Sequence, residues 1–279
     1  MNSPGLRLDK RPPMRPAMMI ALALCCGGLH AQQSPRDSLP PVSVSGTASA
    51  PVEKSYRRML RGIEHFEAAR ASLAPQASLR FKLLPRQRGS DLRSIVLEVI
   101  GASFDYPLPI AADGSFALPR DARALQEDAV VTLNRRRLSM TWRAEIRSPG
   151  LPAGSRRLGD LRLECEVGLE AGLVSSGGPI ARIADLFRDS RRYCDRADTQ
   201  YLFFTERALF GVTLVDGGRR ETLPVERLYA MASDDPGLKD DLPYCDCELL
   251  LDRSYFLPLG DHSWPDDTRV EFEYMDEPG

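Results

Sequence analysis

The cysteines are the residues whose chemistry is most constrained by their spacing. Four lie beyond the N-terminal segment, at Cys165, Cys194, Cys245 and Cys247. In a predicted strand, Cys245 and Cys247 share one face about 7 Å apart, farther than the roughly 3.8 Å between the Cβ atoms of a disulfide. We therefore predict that each of them pairs outward, with Cys165 or Cys194, in one of two connectivities. Disulfides are the expected state of an even number of cysteines in an oxidising compartment.

Two other chemistries remain open for these cysteines. A structural zinc site would need the four thiolates to converge, yet the spacing lacks the paired Cys-x2-4-Cys knuckles of such sites. A redox-active pair is the second alternative, but no thioredoxin-like Cys-x-x-Cys context surrounds Cys245 and Cys247. We prefer the disulfide interpretation.

Histidine chemistry depends on very few residues. Beyond the N-terminal segment, the sequence contains His65 and His262. His262 lies in the segment 260–264, Gly-Asp-His-Ser-Trp. Such neighbours cannot form a triad among themselves, because the base must face the nucleophile while the acid holds its other ring nitrogen. Gly-x-Ser-x-Gly, His-Glu-x-x-His and phosphate-loop motifs are also missing. We therefore expect a turn at 260–264 and a solvated His65.

An acidic segment offers candidate metal ligands. Its carboxylates would hold Ca²⁺ at the weak affinities of extracellular sites, roughly 10⁻⁴ to 10⁻³ M. The order of Asp, Gly and Glu that marks an EF-hand is missing, so a solvated loop is the preferred interpretation, and we predict no cofactor. The residues concerned are Asp234, Asp235, Asp240 and Asp241.

Residues 1–31 have the pattern of a secretory signal peptide. Basic residues precede an apolar run at 17–29, and small residues lead to a cleavage site after Ala31. The apolar run is shorter than the about 20 residues that a helix needs to cross a bilayer. Translation from Met14 and lipidation at the adjacent cysteines 25 and 26 are alternatives. The pattern predicts a periplasmic or secreted protein that is not an integral membrane protein after cleavage.

Charge excludes one class of partner. Residues 1–31 contain four of the 37 basic and one of the 39 acidic residues, so cleavage changes the net charge from −2 to −5. A globally basic surface for nucleic acid is therefore absent. Residues 53–163 are predominantly basic and residues 233–279 predominantly acidic. Independently solvated surfaces are the preferred explanation, and mutual docking of the two parts is the alternative.

Periodicity predicts the elements of the first half. Residues 32–51 hold almost no large apolar side chains and predict a flexible linker. The segment 52–174 begins with an amphipathic helix, whose apolar residues recur every three or four positions from Tyr56 to Phe66 and which ends before Pro75. Alternation then predicts strands and a sandwich-like domain. These strands lie around 79–83, 95–99, 116–118, 130–133, 138–146 and 161–167.

A break at 175–179 separates a second sub-domain, 175–279, of α+β type. A helix carrying Cys194 comes first, and a short helix follows Pro224, which suits a first helical turn. The predicted fold class is mainly β with a few helices, with an antiparallel sandwich or barrel in the N-terminal half and a smaller α+β C-terminal half. The strands of the second half lie around 201–205, 210–215, 245–251, 255–259 and 270–274.

One short segment carries a family resemblance. The stretch from Ala112 to Pro119, Ala-Asp-Gly-Ser-Phe-Ala-Leu-Pro, resembles the Asp-Gly-x-Phe signature of carboxypeptidase regulatory-like, transthyretin-like sandwiches, which are common in exported bacterial proteins. The match covers a small part of the chain and implies a non-catalytic sandwich domain. As a whole, the chain resembles exported proteins of Gram-negative bacteria.

Together these patterns favour an exported, non-catalytic, β-rich binding or structural module of the bacterial cell envelope. Its expected partner is a protein or another envelope component, and not a nucleic acid. The alternative is a periplasmic hydrolase that uses carboxylates or His262.

Overall fold

Strands dominate the part of the chain that the structure covers. The computed structural model describes residues 51–86, 90–136, 139–173, 189–229 and 250–275. Within these ranges there are thirteen antiparallel strands and four α-helices, which confirms the mainly β class. The strands are β1 (Pro51–Ser55), β2 (Ser78–Pro85), β3 (Leu97–Ile100), β4 (Asp105–Pro107), β5 (Ser115–Phe116), β6 (Val130–Arg136), β7 (Met140–Arg147), β8 (Ser155–Arg157), β9 (Leu202–Phe204), β10 (Leu209–Asp216), β11 (Arg219–Thr222), β12 (Ser254–Phe256) and β13 (Arg269–Tyr274). The helices are α1 (Tyr56–Leu73), α2 (Ala122–Gln126), α3 (Leu158–Glu170) and α4 (Ser190–Cys194).

These strands form four sheets. Their orders are β1-β6-β3-β4, β5-β2-β7, β11-β10-β13-β8 and β12-β9. Each sheet is open over the described residues, so no closed barrel is present there, and the sandwich arrangement is not confirmed.

The predicted amphipathic helix is α1. It begins where Ser55 Oγ accepts a hydrogen bond from the Arg58 backbone N–H, a capping contact. The structure adds β1 before this helix, which was not predicted, and pairs it with β6. No helix in the described ranges is both long enough and apolar enough to span a membrane. Of the apolar residues predicted for its buried face, Tyr56, Met59, Leu60 and Phe66 are buried and Ile63 is partly buried.

The segment 161–167 was predicted as a strand, and this is wrong, because it lies within α3. Apolar residues occur there at every second position, but every residue from Leu158 to Gly168 is buried, the charged ones included. A helix that is buried all round lacks the exposed polar stripe by which a period of 3.6 is recognised. The alternation therefore did not reflect one buried face.

Helix α3 belongs to two hydrophobic cores. One core contains α1 and strands β1–β3 and β5–β7, and α3 contributes Leu163 and Val167 to it. The other contains residues of β9, β10, β12 and β13, and α3 contributes Leu161 and Cys165. All described residues belong to one compact unit. The predicted boundary between residues 174 and 175 lies outside the described residues and stays a prediction.

Ion pairs connect the basic and acidic parts of the chain. Arg162 Nη1 lies 2.6 Å from Asp266 Oδ1, and Arg157 Nη2 lies 2.7 Å from Asp267 Oδ1. The buried Arg162 also donates to the backbone carbonyl of Trp264. These pairs are contacts between the two parts. Residues 233–249 of the acidic part lie outside the described residues, so both explanations of the difference in charge stay predictions.

A disulfide joins Cys165 of α3 to Cys194 of α4. This corrects the predicted pairing of each of these residues with Cys245 or Cys247, since a sulfur atom forms a single disulfide. The prediction assumed that Cys245 and Cys247 each pair with one of these two residues, whereas Cys165 of α3 and Cys194 are both buried in the second core, where they meet. Cys245 and Cys247 lie outside the described residues.

Non-reducing peptide mapping is expected to recover Cys165 and Cys194 in one linked peptide. Because the two residues are 29 positions apart, loop-closure entropy predicts that Cys194→Ser lowers the free energy of unfolding by about 3 to 4 kcal/mol. The double variant Cys245→Ser/Cys247→Ser is the control and should keep the linked peptide. A bond from Cys165 or Cys194 to either of those residues would contradict the assignment.

Candidate functional site

Strand β7 presents a charged face that other parts of the chain cover. Its residues alternate as predicted, with Trp142 and Ile146 in the first core and Arg143, Glu145 and Arg147 on the opposite face. Charged residues on a half-buried strand normally face solvent. Here the side chains of Arg143 and Glu145 are only 11% and 7% exposed.

Beside this face lies a cavity of about 410 Å³. Its walls come from β2, β7, β8, β9, β12 and β13, so residues far apart in the sequence meet there. Small-molecule sites commonly occupy roughly 300 to 1,000 Å³. The lining includes the cations Lys82, Arg143, Arg147 and Arg156, the carboxylates Asp113, Glu145 and Glu206, and the rings of Phe204, Tyr255, Phe272 and Tyr274.

Three of the cations converge on one carboxylate oxygen. Glu145 Oε1 lies 3.2 Å from Arg147 Nη2, 3.5 Å from Arg143 Nη2 and 3.9 Å from Lys82 Nζ. A single carboxylate carries one negative charge, so it cannot neutralise three positive charges. Further anions are needed around these cations.

Strand pairing forces two of these cations together. Lys82 of β2 lies directly opposite Arg143 of β7 in the antiparallel ladder. Like charges at directly opposite positions destabilise a sheet, so the pair requires anions close by. In the structure, Glu145 and Glu206 both form ion pairs with Lys82 Nζ.

Glu164 of α3 binds the guanidinium groups of Arg143 and Arg156. Its Oε2 accepts a hydrogen bond from Arg156 Nη2 at 2.7 Å and another from the Ile146 backbone N–H at 3.1 Å. Its Oε1 lies 3.3 Å from Arg143 Nη1. Arg156 also donates to the Ile146 carbonyl at 2.6 Å. One buried carboxylate therefore joins α3, β7 and β8 and fixes two guanidinium groups beside the cavity.

The closely spaced charges around the cavity determine the charge states of Glu145 and Arg156. Burial raises the pKa of Glu145, but the positive charges around it, that of Arg143 foremost, outweigh burial and bring this pKa below its ordinary value. Burial likewise opposes the charge of Arg156, yet the neighbouring Glu164 raises the pKa of Arg156 above its ordinary value. Glu145 is therefore an anion at neutral pH, and its pKa is poorly matched to acid–base catalysis there.

Several buried polar atoms of the lining residues form no hydrogen bond within the described residues. Tyr255 Oη, Arg143 Nε and Arg156 Nε have no hydrogen-bond partner in the described ranges. Burial raises the pKa of Tyr255, so its hydroxyl keeps its proton. Buried polar groups are nearly always hydrogen bonded, and these three are donors. They are unsatisfied donors on residues that line the cavity.

The predicted site residues lie elsewhere or outside the described ranges. His262 Nε2 is 2.7 Å from Asp195 Oδ1, and both side chains are mostly exposed. The segment 260–264 forms the expected turn, in which Trp264 N–H donates to the Asp261 carbonyl. Over the described residues, no group of three His, Cys, Asp or Glu side chains is placed to hold a metal ion. The candidate calcium ligands Asp234, Asp235, Asp240 and Asp241 lie outside these residues, as do Cys245 and Cys247.

The cavity itself was not identified from the sequence. A partial signal was present, because basic residues at 80 and 82 and charged residues at 143, 145 and 147 recur at every second position of two strands. That pattern normally indicates a solvent-facing surface. The cover supplied by β8, β12 and β13 depends on tertiary contacts that the pattern does not contain.

No protein-family model, curated protein or solved structure matches this chain. The resemblance of residues 112–119 to transthyretin-like sandwiches therefore stays a prediction. In the structure, a turn with a left-handed Gly114 precedes β5, and β5 pairs with β2. The function of the cavity is inferred from its own residues.

The variant Glu164→Gln is expected to lower the free energy of unfolding by about 3 kcal/mol, because it leaves Arg156 without its buried counter-ion and removes one of the two carboxylates paired with Arg143. Chemical denaturation measures this change. The matched control is Glu221→Gln, which removes an exposed ion pair with Arg219, and it should change stability little. Equal effects of the two substitutions would contradict a structural role for the buried carboxylate.

The second histidine gives a pH-dependent prediction. His65 was expected to be solvated, but its Nε2 lies 2.6 Å from Glu166 Oε2 in a partly buried contact. The hydrogen bond to Glu166 raises the pKa of His65, against the opposing effect of burial. The stabilisation is therefore complete below the ordinary histidine pKa of about 6.5 and is lost as the pH rises through the higher value in the folded protein.

His65→Ala should accordingly cost more stability near pH 5.5 than near pH 9, by about 1.5 kcal/mol, the contribution of a hydrogen bond to a charged group. Denaturation curves at several pH values measure the difference between the variant and the unmodified protein. The control is His262→Ala, which removes an exposed residue. A loss for His65→Ala that is the same at every pH would contradict the charged contact.

Proposed function

We propose that this protein is an exported, non-catalytic binding module of the bacterial cell envelope, and that its cavity holds a small organic anion. The observation that carries the proposal is the sharing of Glu145 Oε1 by Lys82, Arg143 and Arg147. Glu164 and Glu206 also pair with these cations, so the cluster offers shared hydrogen-bond donors rather than an excess of charge. An anionic ligand would accept hydrogen bonds from these donors in a partly buried space, where electrostatic attraction is stronger than in water.

The remaining walls suit the rest of such a ligand. The rings of Tyr255 and Phe272 pack with their centroids 5.2 Å apart, and Tyr274 continues the group. These rings border the same cavity as the cations. Pockets that combine apolar walls with a few placed polar groups are typical of small-molecule sites. We therefore expect a carboxylate or other oxyanion attached to a compact apolar body.

Binding is favoured over catalysis by the chemistry of the lining. Among the described lining residues, none is histidine or cysteine. The Ser155 hydroxyl donates to the Pro152 carbonyl at 2.7 Å, and no base contacts it in the described residues. Glu145 is held as an anion by its neighbours. A nucleophile with an activating base, the usual requirement of a covalent hydrolase, is not assembled among these residues.

Export is supported by two independent features. Residues 1–31 have the signal-peptide pattern. The Cys165–Cys194 disulfide is of the kind that forms and persists in oxidising compartments such as the periplasm.

Isothermal titration with phthalate, an aromatic dicarboxylate, tests binding. The protein is expected to bind it, and Arg147→Gln should weaken binding about 10-fold, equivalent to about 1.4 kcal/mol. Arg147 is half exposed and is not among the ion-pair partners of Glu164, so this substitution leaves the Glu164 contacts in place. The control is Arg220→Gln, which removes an exposed cation paired with Glu271 away from the cavity lining. Absence of binding at millimolar phthalate, or equal affinities for Arg147→Gln and the control, would contradict the proposal.

A further inference from the structure

Glu206 lies on the solvent side of the cation cluster, which consists of Lys82, Arg143 and Arg147. Its carboxylate forms a hydrogen-bonded ion pair with Lys82 Nζ. The Glu206 side chain is 60% exposed, whereas that of Lys82 is only 10% exposed. The contact therefore joins a solvent-exposed anion to a buried cation of the cavity.

The backbone around Glu206 is held in place independently of this contact. Arg253 Nη1 donates to the Glu206 carbonyl at 2.6 Å, and the Thr205 N–H donates to the Arg253 carbonyl at 2.8 Å. On the other side, the Met275 N–H donates to the Ala208 carbonyl at 2.9 Å. Release of Lys82 therefore requires rotation of the Glu206 side chain and no rearrangement of the loop.

We propose that Glu206 is an internal competitor, whose carboxylate occupies the place on Lys82 that the anionic group of the ligand takes. This inference rests on the proposed function. It identifies the residue that controls ligand affinity at the cavity and the class of anion that the cavity prefers. A bound ligand displaces Glu206 into solvent, where the carboxylate is hydrated.

The competition favours compact dianions. A monocarboxylate that displaces Glu206 exchanges one carboxylate on Lys82 for another, so its net electrostatic gain there is small. A second anionic group gains an additional contact with Arg147. The ion-pair partner of Arg147 is Glu145, whose oxygen Lys82 and Arg143 also contact. Lys82 Nζ and Arg147 Nη2 are at most about 7 Å apart, because they lie 3.9 Å and 3.2 Å from the same oxygen. One small molecule with two carboxylates can therefore contact both.

Calorimetry with phthalate and benzoate tests the inference, because the two probes share a ring and differ by one carboxylate. At about pH 7.5 both are fully ionised. The unmodified protein is expected to bind phthalate at least about 10-fold more tightly than benzoate. Glu206→Gln should raise the affinity for each probe about 10-fold, since the competitor loses its charge.

The matched control is Glu226→Gln, which removes one exposed negative charge outside the cavity lining and should leave both affinities unchanged. Glu206→Ala provides a second variant with the same expected gain. Phthalate binding that does not tighten in either Glu206 variant would overturn the internal competitor and leave the proposed function standing. Equal binding of the two probes by the unmodified protein would overturn the preference for dianions. Absence of binding in all variants would overturn the proposed function itself.

Discussion

The buried carboxylate of Glu164 is the interaction on which the arrangement of the two cores and the cavity depends. A charge that is withdrawn from water is tolerated when it is paired and fully hydrogen bonded. Glu164 meets this condition through Arg143, Arg156 and the Ile146 N–H. These contacts position α3 against β7 and β8 while its apolar residues enter both cores. The same contacts orient two guanidinium groups toward one space.

The cavity follows from the charges that this arrangement brings together. Pairing of β2 with β7 adds Lys82 opposite Arg143, and alternation along β7 adds Arg147 on the same face. Glu145, Glu164 and Glu206 compensate them unequally, since the first two are buried and Glu206 is mostly exposed. A fixed buried anion is a permanent part of the wall. An exposed one can be exchanged for the anionic group of a ligand, which makes Glu206 the point at which binding is controlled.

Elements whose apolar residues keep the period of their own structure were predictable from the sequence, whereas α3, a helix whose apolar residues alternate, was not. Helix α1 and strand β7 each show one apolar face, so their periods identified them. Helix α3 has no exposed face, and it was mistaken for a strand. The wrong disulfide pairing had a separate cause, since Cys245 and Cys247 were each assumed to pair with one of the two other cysteines. The cavity was beyond prediction for a related reason. A strand pattern shows that Arg143 and Glu145 share a face, but what covers that face depends on residues such as Tyr255, which are distant in sequence.

The position of phthalate in a crystal structure of the complex tests the central claim most directly, because it shows which atoms neutralise the cation cluster. The account predicts one carboxylate on Lys82 Nζ, the other on Arg147, and the Glu206 side chain turned into solvent. Phthalate bound away from the cavity, or bound within it while Glu206 still contacts Lys82, would contradict the account.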